Sequence, residues 1–328
     1  MALDLIGLGS AIIDFAPREK GVPLSRVKAF FPSAGGSVSN ILVEASRLGL
    51  RTGFLGCVGD DEFGTLVLND FKAQNVDTSH VKRVKGFATG IAFYSIDETG
   101  DRHYIFYRFP GYSDPETMLK PEDIDKDYIA GTKMFHYSEA MLRKALTRET
   151  VLRILQIAKE HKVAVSYDPN VREALWNNKE EFQSTQRKVL SLTEVFLSTS
   201  REAALIAGGS NVEETLDNIL RLGPSTVVIR EGERYHVAFK GERMVIPIFK
   251  VKAVDTSGAG DVFVAGFLTG LAKQWSVDRA VMLGSAVAAI KVMKAGTRGK
   301  LPTMRDAITF LKERGESFSR REIVEKNL

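Results

Sequence analysis

Between residues 255 and 263 the chain reads Asp255-Thr256-Ser257-Gly258-Ala259-Gly260-Asp261-Val262-Phe263, the most constrained run in its 328 residues. The run follows the strand-like segment Pro247–Val254. It opens a predicted helix, Asp261–Gln274, whose Phe263, Val264, Phe267, Leu268 and Leu271 recur at helical spacing. Gly258 and Gly260 around Ala259 allow a tight turn that aims successive N–H groups at one point. At a helix N-terminus those donors and the helix dipole make an anion site. Asp261 falls at the helix start, where its carboxylate is placed to take a proton from a hydroxyl beside a phosphate-sized anion. An N-cap Asp after a glycine turn accounts for one Asp and one Gly, but not for the whole string.

Outward from this run, short apolar stretches alternate with helix-period segments. Strands are predicted at Leu3–Gly9, Gly53–Val58, Met134–Ser138, Ala164–Asp168, Val195–Ser198 and Thr226–Arg230. Helices are predicted at Ser39–Leu48, Glu62–Gln74, Arg148–His161 and Ser276–Lys294. This alternation implies an α/β fold, a mostly parallel sheet with helices on both faces. Two stretches break the rhythm. Ile12–Phe31 contains no convincing helix. Phe87–Phe109 reads as two strands around a hairpin turn at Glu98-Thr99-Gly100-Asp101. The expectation is a small β-sheet lid formed by 12–31 and 87–112, hinged over a large domain of 1–11, 32–86 and 113–328. The charge-rich tail Lys312–Leu328 reads as a surface helix with a frayed end.

Composition sets the class. Apolar residues are 44% and charged residues 26% of the chain, which excludes a disordered or collagen-like protein. Lys and Arg number 45 against 41 Asp and Glu, a net +4. That excess is too dilute to indicate nucleic acid, and acidic small substrates explain it equally well. No arginine-rich stripe interleaves with aromatics, so a nucleic-acid partner is not expected. The single Cys57 has no partner for an intramolecular disulfide and lies in an apolar run, which suggests a core residue in a reducing compartment. The N-terminus lacks a signal-peptide pattern and no apolar run is long enough for a membrane span. A cytoplasmic location with no membrane partner is expected.

Other nucleotide motifs fail. Gly7-Leu8-Gly9-Ser10-Ala11-Ile12 begins like a dinucleotide fingerprint but has Ile12 at the third Gly position, and no Gly-Lys-Ser/Thr loop exists. The five His are scattered without metal-ligand spacing, although His103 and His136 are candidates to approach a substrate.

Four further strings accompany the 255–261 run in order. These are Gly35-Gly36-Ser37-Val38-Ser39-Asn40 before a helix ending Arg47-Leu48-Gly49, then Val58-Gly59-Asp60-Asp61-Glu62-Phe63-Gly64, then Asp168-Pro169-Asn170-Val171-Arg172-Glu173-Ala174-Leu175-Trp176, and Thr199-Ser200-Arg201-Glu202. Together they resemble the ribokinase-like, or phosphofructokinase-B, family of sugar kinases, essentially end to end. The resemblance implies MgATP-dependent phosphorylation of a sugar hydroxyl. By position, Asp261 would be the general base, and Gly258, Ala259 and Gly260 the anion hole. Asp14, Gly35, Gly36, Asn40, Asn170 and Arg172 would meet the sugar, with Arg108 as a further candidate. Thr199, Glu202, Arg230, Gly232, Ala286, Ala289 and Gly296 would line the ATP site, Glu202 organising Mg²⁺ through water. A monovalent cation such as K⁺ belongs to the same expectation. Thr199 stands where the family has Asn, and Tyr235 where it has a second loop Gly.

Asp168-Pro169-Asn170 and Asp255-Thr256-Ser257 resemble fructokinases, to which the reading leans. Phe106-Tyr107-Arg108 resembles the 2-keto-3-deoxygluconate kinases, where Arg108 and Arg172 would clamp a carboxylate. That alternative stays open, as does a catalytically inactive sugar- or nucleotide-binding regulator. Lid edges that remain unpaired suggest a homodimer through the lid.

Overall fold

A computed structural model describes residues 2–98, 102–109, 111–176, 178–294 and 301–316. The tip of the expected hairpin turn (99–101), Gly296 and the tail from 317 onward lie outside them. The first third of the chain forms β1 (Leu5–Leu8), β2 (Ile12–Pro17), β3 (Phe30–Gly35), α1 (Ser37–Arg47), β4 (Thr52–Gly59), α2 (Glu62–Ala73), β5 (Val76–Asp77), β6 (Val81–Val84), β7 (Ile91–Ile96) and β8 (Arg102–Tyr107). The middle adds α3 (Lys126–Ala130), β9 (Met134–Ser138), α4 (Ala145–Glu160), β10 (Ala164–Asp168), α5 (Lys179–Leu190), β11 (Val195–Thr199), α6 (Ser200–Ala207) and α7 (Val212–Leu222). The remainder is β12 (Thr226–Glu231), β13 (Arg234–Phe239), β14 (Glu242–Pro247), α8 (Ala259–Ala272), α9 (Val277–Val292) and α10 (Met304–Lys312).

Ten strands make one sheet in the order β14-β13-β12-β11-β10-β9-β1-β4-β5, with β6 also pairing β4. From β12 to β5 and β6 the pairings are parallel. The strands are apolar on both faces, as a doubly covered sheet requires. In β1, Leu5 packs into the layer of α1, α2, α8 and α9, while Ile6 and Leu8 enter the layer of α3 to α7. Cys57 is buried there, and burial pushes its thiol up to about 12, the behaviour of an inert core residue. Between β1 and β9 the strand order reverses, so a crevice opens beyond the carboxyl ends of the parallel strands. Among the described residues no helix is long and apolar enough to cross a membrane.

The second sheet has four strands in the order β3-β2-β7-β8. Its first part extends further than the expected Phe31, because β3 pairs with β2 as far as Gly35 opposite Ile12. Asp61 secures the other entry to this sheet. Its carboxylate caps α2 at Gly64 N (2.7 Å) and accepts from Thr89 N (2.7 Å) and Thr89 Oγ1 (2.8 Å).

The expected strand Pro247–Val254 is corrected. β14 ends at Pro247, and 248–254 run without strand structure. Their apolar pattern serves helices instead, since Phe249 and Val251 pack beside Ala286, Ala289, Ile290 and Phe310 of α9 and α10.

Candidate active site

The carboxyl ends of β1, β9, β10, β11 and β12, the start of α8 and one face of the second sheet enclose a cleft of about 1190 Å³. This exceeds the roughly 300–1,000 Å³ of a pocket for one small ligand, leaving room for two substrates side by side.

The glycine run forms the turn expected of it, with a shift. Gly258 is the N-cap of α8 in the left-handed conformation (φ 69°), so the helix begins at Ala259 and Asp261 is its third residue. A side chain at 258 would be strained there. One expected donor, the Ala259 N–H, closes the turn onto the Thr256 carbonyl at 3.2 Å. The Asp261 carboxylate is held from the opposite helix. Ser37 Oγ donates to Oδ1 at 2.7 Å, and Asn40 Nδ2 donates to Oδ2 at 2.8 Å. Ser37 and Asn40 are one turn apart on α1, which packs across α8.

Gly35 and Gly36 admit this approach. A Cβ at Gly35 would overlap the Asp14 carboxylate, and one at Gly36 would overlap the Ser10 carbonyl. Gly36 also has φ 103°, which L side chains avoid. Asp14, Gly36, Asn40, Gly258, Ala259, Gly260 and Asp261 all line the cleft. Gly35 does not line it and makes room for Asp14 instead.

Further along lie Asp168, Asn170, Arg172, Thr199, Glu202, Arg230 and Ala289. Glu202 and Thr199 form a capping box at the start of α6. One Glu202 oxygen accepts from Thr199 N (3.0 Å) and Thr199 Oγ1 (2.7 Å), while the other accepts from Val171 N (2.9 Å). The Thr in place of Asn is thus committed to Glu202. Glu202 in turn fixes the loop in which Asn170 takes φ 44° and Arg172 Nη1 donates to the Val171 carbonyl at 3.1 Å. Burial, then the nearby carboxylates of Glu202 and Asp261, hold the Asp168 carboxyl well above the usual range.

Four placements differ from expectation. Gly232 sits in the β12–β13 hairpin, outside the cleft wall. Ala286 is fully buried among Phe310 and Leu311, so its smallness serves helix packing. His136 is fully buried on β9 against Ser166 Oγ at 3.1 Å, and burial lowers its pKa to about 3. His103 pairs with Asp97 at 3.0 Å and does not line the cleft. Tyr235, in place of the second Gly, is buried, lines the cleft and stacks on Phe263 at 4.2 Å.

Arg108 reaches the cleft but is engaged. It forms an ion pair with Glu116 and donates to Ser10 Oγ at 3.2 Å, and Ser10 Oγ donates to Glu116 at 3.1 Å. Burial lowers its pKa to about 10. Arg143 is likewise paired with Glu139 at 2.8 Å. Ser37, Asp168 and Arg143 line the cleft although they were not among the expected site residues. Ser37 was visible as the residue one helical turn before Asn40.

This arrangement can orient a hydroxyl against Asp261 and hold an anion at the glycine turn. Comparison with known proteins agrees. The model of the pfkB family of carbohydrate kinases matches residues 3–304. The chain is 31% identical to the probable fructokinase-2 of Arabidopsis thaliana, covering 94% of this chain and 95% of that protein. It is 33% identical to the 5-dehydro-2-deoxygluconokinase of Clostridium perfringens, covering 96% and 94%. It superposes on the fructokinase of Xylella fastidiosa solved with bound ATP, with a TM-score of 0.83, 26% identity and coverage of 95% and 99%. With a catalytic-type carboxylate at a glycine turn and a family match over nearly its whole length, the chain belongs to the pfkB family of carbohydrate kinases.

Proposed function

We propose that the protein transfers the γ-phosphate of ATP to a hydroxyl of a neutral ketose, with fructose the leading candidate. The observation that carries the kinase reading is the Asp261 carboxylate, held by Ser37 and Asn40 beside the Gly258–Gly260 turn. In this reading Asp261 accepts the hydroxyl proton as the sugar oxygen attacks phosphorus, and the bond from the γ-phosphorus to the β–γ bridging oxygen breaks to release ADP. Amides at the start of α8 stabilise the charge on the moving phosphoryl group. Asp14 accepts hydrogen bonds from sugar hydroxyls.

Magnesium fits this chemistry, since Asp168, Glu202 and Asp261 concentrate negative charge that a divalent cation relieves. Among the described residues no three His, Cys, Asp or Glu side chains gather into a metal site. Asp168 and Glu202 would therefore hold Mg²⁺ together with water and phosphate oxygens. When bound, the ion neutralises phosphate charge.

Arg108 supports a neutral sugar. Its charge is matched by Glu116, so it brings no spare cation for a substrate carboxylate. A sugar acid is the second reading, favoured by the Clostridium relative and by Arg172 and Lys144 on the cleft wall. A coupled ADP-release assay over ketoses, aldoses and sugar acids tests both. Fructose as the preferred acceptor supports the first, and a sugar acid preferred over every neutral sugar refutes it.

The second sheet acts as a lid in the same reading. Tyr104 and Phe106 of β8 face the cleft, while Ile105 and Tyr107 face away and remain exposed. This unpaired outer face is the proposed homodimer contact, and a monomer by ultracentrifugation at micromolar concentration counts against it. A cytoplasmic setting accords with the lone, buried Cys57.

A further inference from the structure

Lys291 on α9 is almost wholly buried, with 1% of its surface exposed. Its neighbours on the helix are Val287, Ala289 and Ile290, a setting in which an ammonium is costly unless partners compensate it. The partners are specific. Lys291 Nζ donates to the backbone carbonyl of Asp255 at 2.9 Å and stands 3.9 Å from the Asp255 carboxylate. The next residue completes the grip, because the Val292 carbonyl accepts from Val254 N at 2.7 Å and Asp255 N at 3.0 Å. Consecutive residues of α9 thus hold both the N–H and the C=O of Asp255.

Asp255 begins the glycine turn. Its carboxylate accepts from Ser257 N at 2.9 Å, immediately before Gly258. From the second sheet, Arg102 of β8 approaches the same carboxylate at 3.6 Å. The charged groups around the ammonium are therefore Asp255, Arg102 and, further off, Asp261. Desolvation lowers the Lys291 pKa to about 8, and the charge of Asp255 opposes that shift.

We propose that Lys291 is a positioning residue for phosphoryl transfer. Its ammonium is a built-in monovalent cation that fixes the Asp255–Asp261 turn, so turnover needs no monovalent cation from solution. The inference rests on the kinase reading above and adds that this chain carries its own cation, so the K⁺ expected from the family resemblance is dispensable.

The experiment compares the wild-type protein and Lys291→Met in tetramethylammonium, potassium and ammonium chloride, with MgATP and the sugar selected by the acceptor panel. Wild-type kcat should vary by less than about twofold across the salts. Lys291→Met should lose about a hundredfold in kcat, as expected for a displaced turn, with the sugar KM little changed. Potassium or ammonium should restore part of that loss, and the bulky tetramethylammonium should not. A lysine that only supported the fold would lower the melting temperature without this cation-specific rescue, and that result overturns the proposal. Wild-type activity stimulated manyfold by potassium overturns it too, even if Lys291→Met does not fold. A wild-type protein that phosphorylates no sugar refutes the kinase reading itself, and this inference with it.

Discussion

Replacing Asp261 with Asn isolates the base. Asn is nearly isosteric with Asp, and one orientation of its amide satisfies both the Ser37 and the Asn40 contacts. Its oxygen can face Asn40 Nδ2, which donates at 2.8 Å, while its NH₂ faces Ser37 Oγ, which stands 2.7 Å away and can accept once its own proton turns aside. The contact between α1 and α8 is therefore retained, and only the proton-accepting oxygen is lost. General-base catalysis contributes about 10²–10⁴ in rate, or about 3–5 kcal/mol in the barrier. The expected result is a kcat reduced by that factor, KM for sugar and ATP nearly unchanged, and a melting temperature close to wild type. ADP release by steady-state assay and a thermal melt measure all of these. A variant turning over at near wild-type rate would mean that Asp261 orients substrate without accepting its proton.

Other expectations follow from individual contacts. Gly36→Ala forces a Cβ against the Ser10 carbonyl at φ 103° and should destabilise by about 1–3 kcal/mol; an unchanged urea midpoint contradicts it. Glu44 is fully buried on α1, and burial pushes its carboxyl up to about 8. The folded pKa lies above the unfolded one, so stability falls as pH rises from about 4.5 to 8, by about 3 kcal/mol at pH 7. Glu44→Gln should flatten that slope in urea melts, and parallel pH profiles for the two proteins would refute the assignment. Arg108→Ala leaves Glu116 buried without its ion-pair partner and should cost about 3–5 kcal/mol in stability, yet kcat/KM for fructose should change by less than about tenfold. A hundredfold loss confined to sugar acids would move the substrate reading to the acidic class.

The parallel strands β1, β4, β9, β10, β11 and β12 were legible because each is a short apolar run bounded by turn residues, and that pattern has few other uses in an α/β chain, whereas the short β5 and the charged β6 beside β4 carry no such run. The β13–β14 hairpin was not legible either. Lys240 and Gly241 both have positive φ, at 49° and 82°, in the two-residue turn between β13 and β14, but Lys is not the Asn or Asp that marks such a turn in sequence. Segment 248–254 was misread for the opposite reason. Its alternating apolar residues look like a strand, yet their partners are the sides of α9 and α10 rather than another strand. Periodicity reports that one face is buried, but does not say what buries it.

The site follows the same division. Asp261, Asn40 and the glycines at 35, 36, 258 and 260 could be marked as candidates because each sits in a string whose spacing has a backbone consequence, whereas Asp14 was marked only by the family resemblance. Pairings between distant residues had no such signal. Arg108 is eight residues before Glu116, and nothing in that spacing says whether its charge is spent inside the wall or offered to a ligand. The fold answers through Ser10 at the end of β1, which touches both. Lys291 was still less visible, as one cation in an apolar helix that reads as core. Only the path of the chain brings it under Asp255, 36 residues away, where it grips the turn that carries Asp261. In the proposed readings, substrate choice and cation dependence rest on contacts between segments, and the reaction type on strings within them. Lys291→Met and Asp261→Asn should both lower kcat, but only the Lys291→Met loss should be partly restored by potassium or ammonium, whereas Arg108→Ala should leave kcat/KM for fructose within about tenfold.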